Sequence, residues 1–198
     1  MALVVLASGG LDSTLMGLMA HEEGVVIHPL FIDYGQLGAV KEWEAVQRSH
    51  ARHGLPPPVR MDLSGYGRVI PSGITSPSLR IAEDAFLPGQ NMLMILAGTG
   101  YVYRINAQGV AIGLLSPETH LFPDQTEKFL RACESTLETA LGRRIAVVAP
   151  LLHLTKSDVL AMARERGLTT TYSCHAGTDE PCGECVACLE IIHAQEGG

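Results

Sequence analysis

The sequence predicts an α/β protein: a single parallel five-stranded sheet with helices on both faces, followed by a small C-terminal motif of four cysteines. Three observations predict it. Short apolar runs alternate with amphipathic stretches along most of the 198 residues, as expected where parallel strands are joined by helical crossovers. A Gly-Gly turn separates the first apolar run from the first helical stretch. Four of the five cysteines crowd the last quarter of the chain.

The elements follow in order. Residues 3–7 read as a strand and 12–23 as a helix with Leu15, Leu18 and Met19 on one face, ended by Gly24. Residues 25–32 form a second strand that runs into Asp33-Tyr34-Gly35-Gln36. A helix over 39–53 is closed by Gly54 and three prolines, and 59–62 is a short third strand. From 63 to 89 periodicity is lost and Ser, Gly and Pro recur. So long a stretch without elements is read either as a flap on the substrate side or as an idle disordered loop. A buried apolar helix is expected over 90–106, a fourth strand over 110–114, and one amphipathic helix over 123–141 with Phe129, Leu130, Cys133 and Leu137 inward. A fifth strand over 145–149 and a helix over 155–166 complete the pattern. Residues 1–170 then form the α/β domain, 171–198 the cysteine motif packed on it, and the last residues fray. Ligands of parallel sheets sit at the carboxyl ends of the strands, so the loops at Ser8, Asp33 and Ser116 are expected to converge on one crevice.

Composition bounds the function. With 46% hydrophobic and 18% charged residues the chain is globular rather than disordered. No apolar stretch reaches the roughly 20 residues of a membrane span, and no basic leader precedes the first strand, so a cytoplasmic protein without membrane partners is expected. The net charge of −7, from 14 basic and 21 acidic side chains, disfavours non-specific binding to nucleic acid. It leaves room for a small anionic ligand at a locally positive loop.

Such a loop is Ser8-Gly9-Gly10-Leu11-Asp12-Ser13. A buried strand ends, two glycines turn the chain, and a helix begins. Backbone N–H groups at such a turn attract an anion, aided by the helix dipole, and glycine lets a phosphate approach closely. Ser8, Ser13 and Thr14 add hydroxyl donors. Asp12 either caps the helix or holds a Mg2+ that travels with a nucleotide. The bland reading is an ordinary strand–turn–helix corner. The Lys of a G-x-x-x-x-G-K-[ST] loop is missing, and the spacing fails G-x-G-x-x-G.

Cys174, Cys182, Cys185 and Cys188 follow the spacing C-x7-C-x2-C-x2-C. Two overlapping C-x2-C units suit a tetrahedral ion, and four thiolates with no open position describe structural zinc. An iron–sulfur cluster and a redox or thiol-carrier role are the alternatives. His175 and His193 lie close enough to replace a ligand. Cys133 stands alone on an apolar face and reads as a core residue rather than a nucleophile.

The hexapeptide at Ser8 resembles the pyrophosphate loop of the ATP pyrophosphatases, which cleave ATP between its α and β phosphates. Further segments sharpen the likeness: Asp33-Tyr34-Gly35-Gln36, Leu87-Pro88-Gly89-Gln90-Asn91, Phe122-Pro123-Asp124, Pro150-Leu151-Leu152-His153-Leu154-Thr155-Lys156-Ser157-Asp158, Tyr172-Ser173-Cys174 and Cys182-Gly183-Glu184-Cys185-Val186-Ala187-Cys188. Together, over about residues 3–189, they resemble the 7-cyano-7-deazaguanine synthases, the QueC family of queuosine biosynthesis. The resemblance implies an adenine nucleotide alpha hydrolase-like fold, a homodimer, and ATP-dependent conversion of 7-carboxy-7-deazaguanine and ammonia to a nitrile. It implies an ATP site formed by Ala7, Ser8, Gly9, Gly10, Leu11, Asp12, Ser13 and Thr14 with Asp33 and Gln36. Asp12 and Lys156 would be catalytic, with Lys156 beside the α-phosphate. A solvated helix-start lysine is the other reading of Lys156, and loop capping that of Asp33. Gly89, Asn91, Glu118 and Asp124 are the candidate substrate contacts, ATP, Mg2+ and Zn2+ the implied cofactors.

The likeness thins where substrate would bind. Leu37-Gly38 stand where family members carry basic residues, Gln90 and Ile191 where they carry Arg, His120-Leu121-Phe122 where they carry Ser-Gly-Tyr, and Gln125-Thr126 where they carry Cys-Arg. Loss of Arg removes bidentate partners for carboxylate or phosphate. Two alternatives therefore stay open: a divergent relative that adenylates another carboxylate, including one on a macromolecule, and an ATP-dependent RNA sulfur-transfer enzyme. A non-catalytic nucleotide-binding module is a third.

Overall fold

A computed structural model describes residues 1–116 and 122–196. The five strands are β1 (Ala2–Leu6), β2 (Val26–Asp33), β3 (Val59–Asp62), β4 (Gly109–Ala111) and β5 (Ala146–Val148). They form one sheet in the order β3-β2-β1-β4-β5, and every pairing is parallel. The helices are α1 (Leu11–Glu22), α2 (Ala39–Arg52), α3 (Gly65–Val69), α4 (Gln90–Ile105), α5 (Glu127–Leu141), α6 (Lys156–Glu165) and α7 (Val186–Glu196). Strand order reverses at β1, between β2 and β4, and this is where a crevice opens beyond the carboxyl ends of a doubly wound sheet.

Alternation along the strands builds the two faces. Val4 and Leu6 of β1 and Leu30 and Ile32 of β2 pack with Ile95 and Val102 of α4 and with Leu130, Cys133 and Leu137 of α5. Leu3, Val5 and Ile27 point the other way, onto Leu15 and Met16 of α1 and Val159 and Ala163 of α6. Phe31 continues that face against Val46 and Trp43 of α2. Both faces are therefore covered, as an all-parallel sheet requires. Cys133 is a core residue, fully buried, and burial pushes its thiol up.

Three segments differ from their sequence-based expectation. The stretch 63–89 is not structureless: it contains α3, and it buries Ile74, Ala85 and Leu87 with Tyr34 in a separate small cluster. The helix expected over 123–141 is two pieces, a 3-10 turn at Pro123–Gln125 and then α5, because Thr126 takes an extended conformation (φ −96°, ψ 153°) and its Oγ1 accepts from the Phe129 N–H. Helix α7 lies within the cysteine motif, where the sequence pattern predicts no helix. It packs against α6, where the Ser157 hydroxyl donates to the Ala194 carbonyl. Among the described residues no helix is long and apolar enough to cross a membrane.

Candidate functional site

The loop after β1 is held by its own hydroxyls. Ser8 and Ser13 hydroxyls meet at 2.9 Å, the Ser8 N–H donates to Ser13 Oγ, and the Thr14 hydroxyl donates to the Gly10 carbonyl at 2.8 Å. Gly9 takes φ +79°, and a Cβ there would overlap the Glu42 carbonyl oxygen of α2. Only glycine lets the turn sit that close to the helix. The loop is also backed from the far end of the chain. Tyr172 N–H donates to the Gly9 carbonyl at 2.8 Å, and Leu11 N–H donates to Ser173 Oγ at 3.3 Å.

Gly10, not Asp12, is the N-cap of α1, and no side chain caps it. Capping by Asp12 is therefore overturned: the residue lies in the first helical turn, where its carboxylate opposes the positive helix end. Both its oxygens accept from Lys156 Nζ, at 2.9 and 2.8 Å. Lys156 is 6% exposed, so the solvated-lysine reading fails as well. A capping box between Thr155 and Asp158 starts α6 and fixes Lys156 at its first position. A second carboxylate, Glu190 of α7, lies 3.4 Å from the same ammonium. Burial raises the Glu190 pKa against the pull of Lys156. Glu190 escaped sequence reasoning because the neighbouring cysteines gave it no spacing signal of its own.

These groups face a crevice of about 290 Å³. Of the candidate ATP, catalytic and substrate residues, Ala7, Ser8, Gly10, Asp12, Ser13, Asn91, Asp124 and Lys156 line it; Gly9, Leu11, Thr14, Asp33, Gln36 and Gly89 are not among its lining residues. Leu11 and Thr14 are buried in α1. Of the three loops expected to converge, the first contributes Ser8, the second Tyr34 rather than Asp33, and the third Leu114 and Leu115. Asp33 is occupied as a loop cap: it accepts from Gly35 N–H at 3.0 Å and from the Arg60 guanidinium at 2.6 Å. The Gln36 side chain accepts from Tyr34 N–H and donates to Glu42 Oε2 at 2.8 Å. Glu42, which the sequence did not single out, lines the crevice, and burial pushes its pKa up to about 7. Burial, then the Glu42 and Asp33 charges, raise the Tyr34 phenol.

Gly89 is the left-handed N-cap of α4. The next residue, Gln90, donates to the Tyr34 hydroxyl at 2.9 Å. The Asn91 amide donates to the Asp124 carbonyl at 3.0 Å, and its backbone N–H points at the Asp124 carboxylate at 3.4 Å. Phe86 and Phe122 rings meet at 5.0 Å at one side of the crevice. Glu118, together with His120 and Leu121, lies outside the described residues. The charged groups among the described lining residues are Asp12, Glu42, Asp124, Lys156 and Glu190, with His175 beside them. The His175 Nδ1 is enclosed without a hydrogen-bond partner, and burial, then the Lys156 charge, pushes that imidazole down to about 4.

The sulfurs of Cys174, Cys182, Cys185 and Cys188 all lie within 4.8 Å of one another. A tetrahedral ion with ~2.3 Å metal–sulfur bonds needs sulfurs roughly 3.8 Å apart, so the cluster fits a metal. Peptide N–H groups aim at the sulfurs, Cys182 at Cys174 and Cys185 at Cys182, each at 3.3 Å. Burial pushes the Cys185 thiol up to about 12 and raises Cys188. At Cys174 burial opposes ionisation too, yet N–H donors led by Cys182 bring it down to about 7. Without a cation, burial therefore works against the thiolates of Cys174, Cys185 and Cys188. The two departures Leu37-Gly38 lie against this motif: Cβ atoms at Gly177 and Gly38 would crowd the Leu37 carbonyl and the Glu42 carboxylate.

The segment that carries the glycine turn, the crevice and the four-sulfur cluster is matched as a whole by one family. The chain matches "Queuosine biosynthesis protein QueC" over residues 2–195. It belongs to the QueC family. Among curated QueC relatives, a 7-cyano-7-deazaguanine synthase of Methanothermobacter thermautotrophicus is 32% identical over 99% of this chain and 95% of its own length. One from Desulfitobacterium hafniense is 32% identical over 93% and 84%. Solved structures share the fold at low identity. A U34-tRNA thiolase, NcsA, of Methanococcus maripaludis superposes with a TM-score of 0.57 at 14% identity, over 99% of this chain and 71% of its own. An NMN synthetase of Francisella tularensis gives 0.54 at 13%, over 98% and 84%.

Proposed function

We propose that the protein is an ATP-dependent carbon–nitrogen ligase that converts 7-carboxy-7-deazaguanine and ammonia to 7-cyano-7-deazaguanine, releasing AMP and pyrophosphate. The observation that carries this reading is the Asp12–Lys156 pair at the mouth of the Ser8–Gly10 turn, in a chain whose full-length relatives bear that enzyme's name. A carboxylate resists attack because of its charge and resonance. Transfer of AMP to one of its oxygens expels pyrophosphate and leaves an acyl adenylate. Ammonia displaces AMP and, after losing a proton, gives the amide. A second ATP adenylates the amide oxygen, and loss of AMP with the remaining amide protons leaves the nitrile. The protein's part is to position reactants and stabilise phosphate charge.

In this reading the turn from Ala7 to Thr14 cradles the leaving pyrophosphate. Its exposed N–H groups bind, while Gly9, Leu11, Thr14, Asp33 and Gln36 shape it from behind. Asp12 would hold the Mg2+ that accompanies ATP and neutralises its phosphates. Lys156 serves the α-phosphate. Asp124, Asn91, Gly89 and Glu118 belong to the acceptor side. Cys174, Cys182, Cys185 and Cys188 would hold Zn2+, which supplies cross-linking rather than chemistry. Residues 1–170 are the catalytic domain and 171–198 its zinc motif; a homodimer and a cytoplasmic setting complete the proposal.

The test is pyrophosphate release with 7-carboxy-7-deazaguanine and ammonia, with the product weighed by mass spectrometry. Nitrile formation supports the reading. Release only with a different carboxylate supports a second reading, a divergent adenylating enzyme. That reading is favoured by Gln90, whose amide is committed to Tyr34 at a position where the family resemblance leads one to expect Arg. Burial of Cys133 in the core speaks against an RNA sulfur-transfer role that runs through that thiol.

A further inference from the structure

The proposed mechanism gives no role to two carboxylates of the crevice, Glu42 and Glu190, and Glu190 is the one held against Lys156. Glu190 sits on α7, two residues past the last cysteine, and its Oε2 lies 3.4 Å from Lys156 Nζ. Its side chain is 28% exposed, against 7% for Lys156, so its free edge reaches the crevice. Helix α7 is fixed at both ends. Cys185 and Cys188 anchor its start in the four-sulfur cluster, and Ser157 Oγ ties its end to the first turn of α6, next to Lys156.

An ammonium has three donors. In the structure two of them are committed to the two oxygens of Asp12. Glu190, at 3.4 Å, faces the third, so for Lys156 to reach a phosphate oxygen a carboxylate contact must open, and an Asp12 contact opens when that carboxylate turns to the Mg2+ of ATP. An ammonium on a four-carbon stem then regains rotational freedom unless another acceptor restrains it. Among the described lining residues, Glu190 is the further carboxylate paired with it.

We propose that Glu190 is a positioning residue for Lys156. It is the standing partner that keeps the ammonium aimed at the α-phosphate once Asp12 gives up a contact. Glu190 touches no reacting atom; it acts through Lys156. The arrangement makes α7 a strut: the sulfur cluster sets the helix, the helix sets Glu190, and Glu190 sets the lysine. The inference rests on the adenylating reading above.

The test compares Glu190→Gln and Glu190→Asp with the parent protein. Gln keeps the shape and packing of α7 and removes the charge; Asp keeps the charge. Three quantities are read: melting temperature, affinity for ATP by equilibrium binding, and steady-state pyrophosphate release. Glu190→Gln is expected to melt within a few degrees of the parent and bind ATP within about twofold. Its kcat is expected to fall about tenfold with KM for ATP little changed, the signature of an interaction made in the transition state. Glu190→Asp is expected to recover part of the lost rate. A Gln variant with the parent's kcat overturns the proposal, as does an Asp variant no better than Gln. If the parent itself releases no pyrophosphate with any acceptor, the adenylating reading fails instead; the two failures are separate observations.

Discussion

Ser173 Oγ accepts the Leu11 N–H at 3.3 Å across 162 positions of sequence. The residue before the first cysteine of the sulfur cluster thus occupies the first free N–H of helix α1, in the turn that is read as the pyrophosphate cradle. With the Tyr172–Gly9 bond beside it, the cysteine segment serves as the back wall of that turn.

Metal loss should therefore be felt at the turn as well as in the fold. Cys185→Ser, or chelation, is expected to lower the melting temperature by roughly 10 °C, since binding energy at such a site is folding energy. ATP affinity should fall in parallel. Calorimetry with metal analysis checks the first and equilibrium binding the second. A metal-free protein with unchanged melting contradicts both.

Asp12→Asn is expected to reduce AMP transfer by about 10³-fold, the scale of losing a charge-stabilising group in a water-poor site. The fold should survive because Lys156 keeps Glu190 as partner. Retained turnover with the same Mg2+ dependence would remove Asp12 from the mechanism.

Gly9→Ala is expected to destabilise the protein by about 2–4 kcal/mol. Both the left-handed backbone and the Glu42 carbonyl reject a Cβ. Gly142→Ala is the control: its φ is also positive, but nothing lies within 4 Å, so about 1 kcal/mol is expected. Urea unfolding of the two variants measures the difference.

Glu42 predicts a pH dependence. Its folded pKa is pushed up to about 7 from 4.5, mainly by burial. The folded state then binds the proton more tightly than the unfolded one, so stability declines as pH rises from about 4.5 to 7 and levels off above. The decline attributable to this group is of order 3 kcal/mol. Glu42→Gln should flatten it, which denaturation curves at pH 5 and pH 8 would show.

Much of the fold was legible in the sequence because strands in a doubly covered sheet are short, continuous and apolar. Residues 59–62 fall where expected, and β1 and β2 are displaced by one residue. The break at Thr126 was hidden because Pro123 and Thr126 both suit a helix start, and only three-dimensional packing chooses between them. In 63–89 the buried residues Ile74, Ala85 and Leu87 fit no helical or strand period, since turns rather than elements carry them inward. The four cysteines, Asp12 and Lys156 announced themselves by spacing or by resemblance. Glu42 and Glu190 did not. A carboxylate on a helix reads as a solvent-facing residue until the neighbours that bury it are known.

The back wall has a consequence for how the protein is born. The turn at residues 8–13 leaves the ribosome long before its supports at Tyr172 and Ser173. A nascent chain can assemble most of its sheet and still lack the bonds that brace this turn. Cleavage ahead of Tyr172 would return a mature molecule to that condition, folded in its centre but with the turn stripped of its back wall.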